Sequence, residues 1–567
     1  MKHKYYPVEP ISDLKELVRK STDKFADRVA FQYKKDGKYT PITYKEFRAD
    51  LEAFGTYLYA NGMKGKRIVI AGENCYQWAL TYLSVTCGDG IIVPVDKELP
   101  ADEIYNVAKI SDSSMAIVAD AIADKVKDYD FGEGYRIIRF SEIAALIEEG
   151  NALLRGGNTE YLDTDPNAEV MSILLFTSGT TGSSKGVMLS QRNICTNIME
   201  MNKMALITEE DTFLSVLPLH HTYECTCGFL VPLYKGASIA YCEKLSLVAK
   251  NLGESHATVI LCVPLLVDTM YKKIWLNAEK KGMADKLRTG IKLNNVTKKF
   301  GVDLSKKLFA TIHESFGGKL RLIVCGGAAA SPEVMKGLRD MGFLTLQGYG
   351  LTECAPLAAV NRDVNFRDDS AGLATPNGQL AIFEPDENGI GEIIYKGDNV
   401  MLGYYNAPEL TAEVIRDGWY YTGDLGYITR DGFLHITGRK KNVIVTENGK
   451  NIFPEEIEEY LGRYDTIKES MVIGDVDSAG CVCVKAIVYP DYELLNTSLA
   501  ESGITTDSEE YASAVKSRIT ELVNEINANI PTYKRIRKVS VRRNEFVKTT
   551  TKKIRRFDDA NKNGEEL

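Results

Sequence analysis

Phe176-Thr-Ser-Gly-Thr-Thr-Gly-Ser-Ser-Lys185-Gly186 packs hydroxyl side chains, three glycines and one lysine into eleven residues, directly behind the apolar Ile173-Leu174-Leu175. A strand that empties into such a loop suggests a phosphate cradle. Glycine lets backbone N–H groups approach an oxyanion, hydroxyls add donors, and the lysine adds charge. The spacing is not that of the Gly-Lys-Ser/Thr phosphate loop, because Ser184 precedes Lys185 and Gly186 follows it. A Ser/Gly surface turn has the same composition, so the loop alone leaves both readings open.

Outward from this loop, buried-strand runs alternate with amphipathic helical stretches. Arg67–Ala71, Ile91–Val95, Met115–Ala119, Val259–Val263 and Leu320–Cys325 read as strands, and Tyr76 to Val85 as a helix. Such alternation predicts parallel-rich sheets covered by helices, an α/β class. After Ser370 short runs, glycines and the turn pairs Asp431-Gly432 and Asn448-Gly449 predict a small antiparallel, barrel-like section. A charged run, Gly438-Arg-Lys-Lys-Asn442, marks a boundary. The expected division is a large N-terminal domain over 1–440 and a smaller α+β C-terminal domain over 441–567, with helices at Pro454–Gly462 and near Ser508–Ile530.

At 567 residues, 44% hydrophobic and 26% charged, the chain has the composition of a multidomain globular protein. No apolar run is long enough for a membrane helix, and the first residues lack the apolar core of a signal peptide. Eleven cysteines without C-x-x-C spacing read as reduced thiols, so a cytoplasmic location is expected. A formal charge of −9 argues against general nucleic-acid binding. The charge is uneven: residues 272–321 hold 13 Lys/Arg against 4 Asp/Glu, and residues 534–556 hold 11 against Glu545 alone. Such patches suit phosphates, anionic lipid or an acidic carrier protein; a solvated helix face has the same pattern.

Further motifs follow the loop in order along the chain. Leu217-Pro-Leu-His-His-Thr-Tyr-Glu224 places His220 and His221 at the end of an apparent strand. Cys325-Gly-Gly-Ala-Ala-Ala330 offers backbone against which a flat ring can lie, or simply a tight turn before Ser331-Pro332. Gln347-Gly-Tyr-Gly-Leu-Thr-Glu353 offers the Tyr349 ring for stacking, the Thr352 hydroxyl for phosphate, and Glu353 as a hard ligand for Mg²⁺, or else a helix cap. Trp419-Tyr-Tyr-Thr-Gly-Asp424 ends in a carboxylate able to accept from two hydroxyls at once. Gly438-Arg439-Lys440-Lys441 leads into Gly449-Lys-Asn-Ile-Phe-Pro454, and Lys548-Thr-Thr-Thr-Lys-Lys-Ile-Arg-Arg556 closes the series.

The set and its order resemble the adenylate-forming superfamily of acyl-CoA synthetases, peptide-synthetase adenylation domains and beetle luciferases, over nearly the whole chain. Ser184 stands where that family usually has proline, as does Val547, and Lys552 stands for its usual glycine. The resemblance implies ATP, Mg²⁺ and CoA. It implies that Thr177, Ser178, Gly179, Thr180, Thr181, Gly182 and Lys185 carry the departing pyrophosphate. It implies that His221 orients the carboxylate or opens the acyl tunnel, and that Tyr223 lines the pocket. Gly327, Ala328 and Tyr349 would border adenine. Thr352 and Glu353 would hold phosphates and metal, and Asp424 and Arg439 the ribose. Lys441 would be the hinge, Gly449 would leave room for pantetheine, and Lys553 would bridge carboxylate and α-phosphate, with Lys552 as the neighbouring candidate.

The 217–224 pattern, the lysine-rich segment near 275–319 and the stretch from Asn74-Cys-Tyr-Gln-Trp-Ala79 to Val95-Asp-Lys-Glu-Leu99 are similar to long-chain fatty acyl-CoA synthetases. The implied activity is fatty-acid adenylation followed by transfer to CoA, with peripheral contact at anionic membrane. A fatty acyl–acyl carrier protein ligase, an enzyme adenylating another carboxylic acid, and a non-catalytic nucleotide-binding protein are the alternatives.

Overall fold

The computed structural model describes residues 4–177, 185–446, 450–477, 480–548 and 553–567. They form two compact units. One takes residues 1–381, 395–421 and 429–435; the other takes 382–394, 422–428 and 436–567. The short strands expected after Ser370 are present, at Gln379–Phe383, Gly391–Lys396, Trp419–Ile428 and Leu434–Arg439, and the division of the chain falls among them.

The N-terminal unit is a mixed α/β structure around two large sheets. The seven-stranded sheet has a parallel core of Met171–Thr177, Ile91–Val95, Arg67–Ala71, Met115–Val118 and Arg136–Arg139. Lys185–Ser190 then returns antiparallel on Met171–Thr177, pairing Lys185 with Thr177. The nine-stranded sheet has a parallel core of Leu344–Gly350, Leu322–Cys325, Val259–Cys262, Thr212–Ser215, Ser238–Tyr241 and Val29–Lys35. Met115–Val118, Val259–Cys262 and Leu322–Cys325 are buried at every position. This is why they read as unbroken apolar runs: both faces of the sheet are covered. Helix Tyr76–Thr86 buries every residue but Gln77.

In the C-terminal unit Ile467–Val476 pairs antiparallel with Val482–Pro490, and Ile536–Val541 adds in parallel. Helix Tyr511–Asn529 covers this sheet with Val515, Ile519, Leu522, Val523 and Ile526, one helical face by spacing. Among the described residues no helix is long and apolar enough to cross a membrane, and none of the cysteines is in a disulfide.

Two local features differ from the sequence reading. The strand before the histidine pair ends at Ser215, so His220 and His221 lie in the turn beyond it; Pro218 has no N–H to extend a ladder. Tyr223–Leu230 is a π-helix, a form that no residue pattern announces. Within it Gly228 leaves room for the Glu224 side chain, whose carboxyl carbon would lie 2.8 Å from a Cβ there.

Candidate functional site

Parallel strands deliver their following loops to one end of a sheet, and ligands of open α/β sheets collect there. In the N-terminal unit four of the singled-out segments leave such strand ends and are tied together by direct contacts. Tyr223 lies against Gly326, where a Cβ would come within 2.9 Å of the ring, and its hydroxyl donates to the Val324 carbonyl at 3.0 Å. The Ala330 N–H donates to Gln347 Oε1 at 3.3 Å, joining the Gly326–Ala330 loop to the Gln347–Glu353 strand end. Gly327 has φ +81°, a conformation open to glycine, and together with Ala328 it is solvent-exposed. Tyr349 is buried; Thr352 and Glu353 are half-buried in the short turn Thr352–Cys354.

That turn is held by neutral side chains. Asn197 Nδ2 donates to the carbonyls of Cys354 at 3.0 Å and Leu357 at 3.1 Å, and Asn399 Nδ2 donates to the same two at 2.7 and 2.8 Å. Thr226 Oγ1 donates to the Ala355 carbonyl at 3.1 Å. Asn399 belongs to the 397–405 segment, whose Leu402 and Tyr405 N–H groups bond the carbonyls of Met188 and Gly186 behind Lys185. Tyr404 closes the arrangement. Its hydroxyl donates to Glu353 Oε1 at 2.9 Å, and Lys185 Nζ stands 5.1 Å from its ring centre. A cation and a carboxylate therefore flank one aromatic ring. Thr177 Oγ1 donates to the Lys185 carbonyl at 3.5 Å. Ser178, Gly179, Thr180, Thr181 and Gly182 lie outside the described residues.

Glu353 and Thr352 present a carboxylate and a hydroxyl, the hard oxygen donors that Mg²⁺ takes. No group of three or more His, Cys, Asp or Glu able to hold a metal occurs among the described residues. Phosphate oxygens would have to complete the coordination, so these two residues fit a metal that arrives with a polyphosphate.

The histidine turn sits on a buried polar network. His220 and His221 have ring centres 4.1 Å apart, and His220 Nε2 lies 3.4 Å from Asp96 Oδ2. Asn74 Nδ2 donates to Ser215 Oγ at 2.9 Å and to the Leu217 carbonyl at 2.6 Å, while its Oδ1 accepts from the Leu219 N–H at 3.0 Å. Ser215 Oγ donates to Glu224 Oε1 at 2.6 Å. Glu224 is 1% exposed. Burial pushes its carboxyl up to about 8, against the pull of the Ser215 hydroxyl, so it is mostly protonated at neutral pH.

The C-terminal unit brings together Asp424, Arg439 and Lys553. Arg439 Nε donates to Asp424 Oδ1 at 2.8 Å. Asp424 is 5% exposed, and its N–H bonds Thr422 Oγ1 at 3.1 Å. Lys553 is an exposed residue. Crowding around its ammonium lowers the pKa, Arg439 adds to that and Asp424 opposes it. Residues around Lys553 are anchored by charge. Arg556 pairs with Glu458 and donates to the Val472 carbonyl at 3.0 Å. Burial pushes the Glu458 carboxyl up to about 7, against the pull of Arg556. Lys548 pairs with Glu469 and, at 3.0 Å, with Glu545. Ile554 packs on Met471, Ile487 and Phe546. Lys441 is exposed in the turn Lys440–Asn442. Gly449 and Lys552 lie outside the described residues.

Sequence reasoning missed Asn197, Asn399, Tyr404 and Glu469. Each acts across more than 50 residues of chain or through a backbone carbonyl, and neither leaves a local pattern. A basic cavity lined by Lys450, Tyr533, Arg535 and Arg537 in the C-terminal unit was missed too; its only trace in sequence is the cationic run at 534–538.

Comparison with known proteins bears on this arrangement. A family model described as AMP-binding enzyme matches residues 18–405. The chain is 27% identical to long chain acyl-CoA synthetase 1 of Arabidopsis thaliana, covering 96% of this chain and 88% of that protein. It is 29% identical to long-chain-fatty-acid–CoA ligase 5 of Rattus norvegicus, over 85% and 76% respectively. Among solved structures, ATP-bound MatB from Rhodopseudomonas palustris superposes with TM-score 0.73 at 22% identity, covering 96% of this chain and 97% of that one. The anthranilate CoA ligase AuaEII in complex with anthranoyl-AMP gives TM-score 0.75 at 18% identity, over 98% and 96%.

Proposed function

Because this chain belongs to the AMP-binding enzyme family, we propose that it is an AMP-forming acid–thiol ligase acting on a medium- or long-chain fatty acid. The acid attacks the α-phosphorus of ATP, its carboxylate oxygen bonding phosphorus as pyrophosphate leaves. The thiol of CoA then attacks the acyl carbon and AMP departs. The observation that carries the reading is the Lys185–Tyr404–Glu353 cluster at the strand ends, where one cation and one carboxylate are aligned by a single ring.

Adenylation joins two anions, so the barrier is their repulsion, and positioned cations and N–H donors lower it without a covalent protein nucleophile. In this reading Lys185 and the loop from Thr177 take the pyrophosphate. Glu353 and Thr352 would hold Mg²⁺, which would supply neutralisation of phosphate charge. Tyr349, Gly327 and Ala328 border adenine, Asp424 and Arg439 meet ribose, and His221 faces the acid. Lys553 bridges the carboxylate and the α-phosphate, and Gly449 leaves space for pantetheine. Residues 441–567 move as the C-terminal domain, with Lys441 as the hinge. The Lys450–Arg535–Arg537 cavity suits the phosphates of CoA; it suits an acidic acyl carrier protein as well. Eleven cysteines without disulfides support a cytoplasmic location, with the acid met at an anionic membrane.

An ATP–pyrophosphate exchange screen across fatty, aryl and amino acids, followed by thioester assays with CoA and with acyl carrier protein, tests this. Exchange is expected with fatty acids and thioester with CoA. Absence of exchange with every acid overturns adenylation, and thioester with the carrier protein alone reassigns the acceptor.

A further inference from the structure

Among the described residues, eight of the 23 exposed large hydrophobics fall between Leu265 and Leu308, a stretch of fewer than fifty residues. The same stretch, 264–308, holds 11 Lys/Arg against 4 Asp/Glu in a chain whose net charge is −9. It folds as helix Pro264–Lys280, a turn, and helix Ala284–Lys299. The second helix buries only Leu287 and Asn294 of its sixteen residues. On the far side Leu293 is 49% exposed, Val296 53% and Phe300 81%. Their spacing of three and four puts them in one stripe. Exposed Lys286, Lys292 and Lys299 flank that stripe. Arg288 is engaged elsewhere, with Asp285 at 2.9 Å and over the Trp275 ring at 5.4 Å, and Lys298 lies 3.6 Å from Asp303.

We propose that this helical pair is a membrane-docking face, with Leu293, Val296 and Phe300 entering the headgroup layer of an anionic bilayer and the flanking lysines meeting lipid phosphates. Exposed apolar surface of this extent marks an interaction site. Its positive charge within an acidic protein selects an anionic occupant. Cations interleaved with apolar side chains match a fluid interface, where stems bury and ammonium groups stay at the phosphates. The choice of lipid over another polyanion rests on the fatty-acid reading above, because such acids partition into bilayers.

Flotation tests it, with the full chain and phosphatidylcholine vesicles with or without phosphatidylglycerol, in the absence of ATP, acid and CoA. The native chain floats with phosphatidylglycerol vesicles, and its partition falls about tenfold or more in the Leu293→Ser, Val296→Ser, Phe300→Ser variant. Lys292→Ser with Lys299→Ser removes the preference for phosphatidylglycerol by a similar factor and tests the face without touching its apolar stripe. Pyrophosphate exchange with a water-soluble short-chain acid, without vesicles, stays unchanged in both variants, so a failure of docking is distinguishable from a failure of adenylation. Equal flotation with and without phosphatidylglycerol, or undiminished flotation of the triple variant, overturns the proposal. So does a native dimer on gel filtration that the triple variant turns into a monomer, which would make the face a contact between copies of this chain.

Discussion

The two units fix their reactive residues by different means. In the N-terminal unit, the Thr352–Leu357 bend hangs on neutral donors, with Asn197 and Asn399 both reaching the carbonyls of Cys354 and Leu357. In the C-terminal unit, the segment carrying Lys553 hangs on ion pairs: Arg556 with Glu458, and Lys548 with Glu469 and Glu545. Buried amide-to-carbonyl bonds respond to neither salt nor pH, whereas ion pairs reached by water are screened. The difference teaches where each unit can tolerate charge. In the proposed reading the N-terminal site keeps Lys185 and Glu353 for the ligand and builds its frame from dipoles. The segment carrying Lys553 is framed by charge, with Arg556 and Lys548 each matched by a carboxylate.

The largest expected effect comes from removing the presented cation. Lys553→Ala should slow pyrophosphate exchange by about 10²–10³, or ~3–4 kcal/mol, the scale for losing one electrostatic donor. Thioester formation from a supplied acyl-adenylate should survive. Lys441→Pro should do the reverse, retaining exchange and losing thioester, because proline fixes φ at the hinge. The two assays run side by side check both; if Lys552→Ala shows the Lys553→Ala phenotype, the active lysine is its neighbour.

A smaller effect should follow from cutting the neutral frame. Asn399→Ala removes two donors and also leaves the Tyr395 hydroxyl, which gives Asn399 Oδ1 a bond at 2.8 Å, without that partner. The expected loss is about 2–3 kcal/mol in stability, read from denaturant unfolding, with the same loss at low and high salt. Arg556→Ala in the C-terminal unit should lose less as salt is raised. Equal salt dependence in the two variants would break the contrast between the units.

The fold was legible because its signals are local. Arg67–Ala71 and Ile91–Val95 were read with the strand ends the structure has, since a two-sided parallel strand is a bare apolar run. The motifs were legible for the same reason: Gln347–Glu353 and Trp419–Asp424 carry their chemistry in consecutive residues. What stayed hidden is what joins segments far apart in the chain. Asn399 fixes the carbonyl of Cys354 from 45 residues away, and Tyr404 reaches Glu353 from 51. An isolated asparagine after Gly397-Asp398 reads as a turn residue, and nothing in its neighbours says which carbonyl it meets. The face around Phe300 was half legible. Its lysines showed in the sequence, but no local pattern says that Leu293, Val296 and Phe300 stay exposed.

The finest test of the contrast is a carboxyl buried beside the histidine turn of the N-terminal unit. Glu224 is buried against Ser215, with no ion pair found for it among the described residues, and its carboxyl is pushed up to about 8. An unfolded chain loses that proton near pH 4.5, whereas the folded one keeps it to about 8. Between those values the folded state binds the extra proton, so rising pH favours unfolding. The group's contribution is whole below about 4.5, declines by at most about 1.4 kcal/mol per pH unit, and levels off above about 8. Glu224→Gln keeps the shape and the acceptor for the Ser215 hydroxyl but has nothing to titrate. Unfolding free energies at pH 6 and pH 7 should therefore differ by about 1.4 kcal/mol less in the variant than in the native chain. If the two chains show the same pH slope, Glu224 is ionised in the folded protein and this part of the contrast fails.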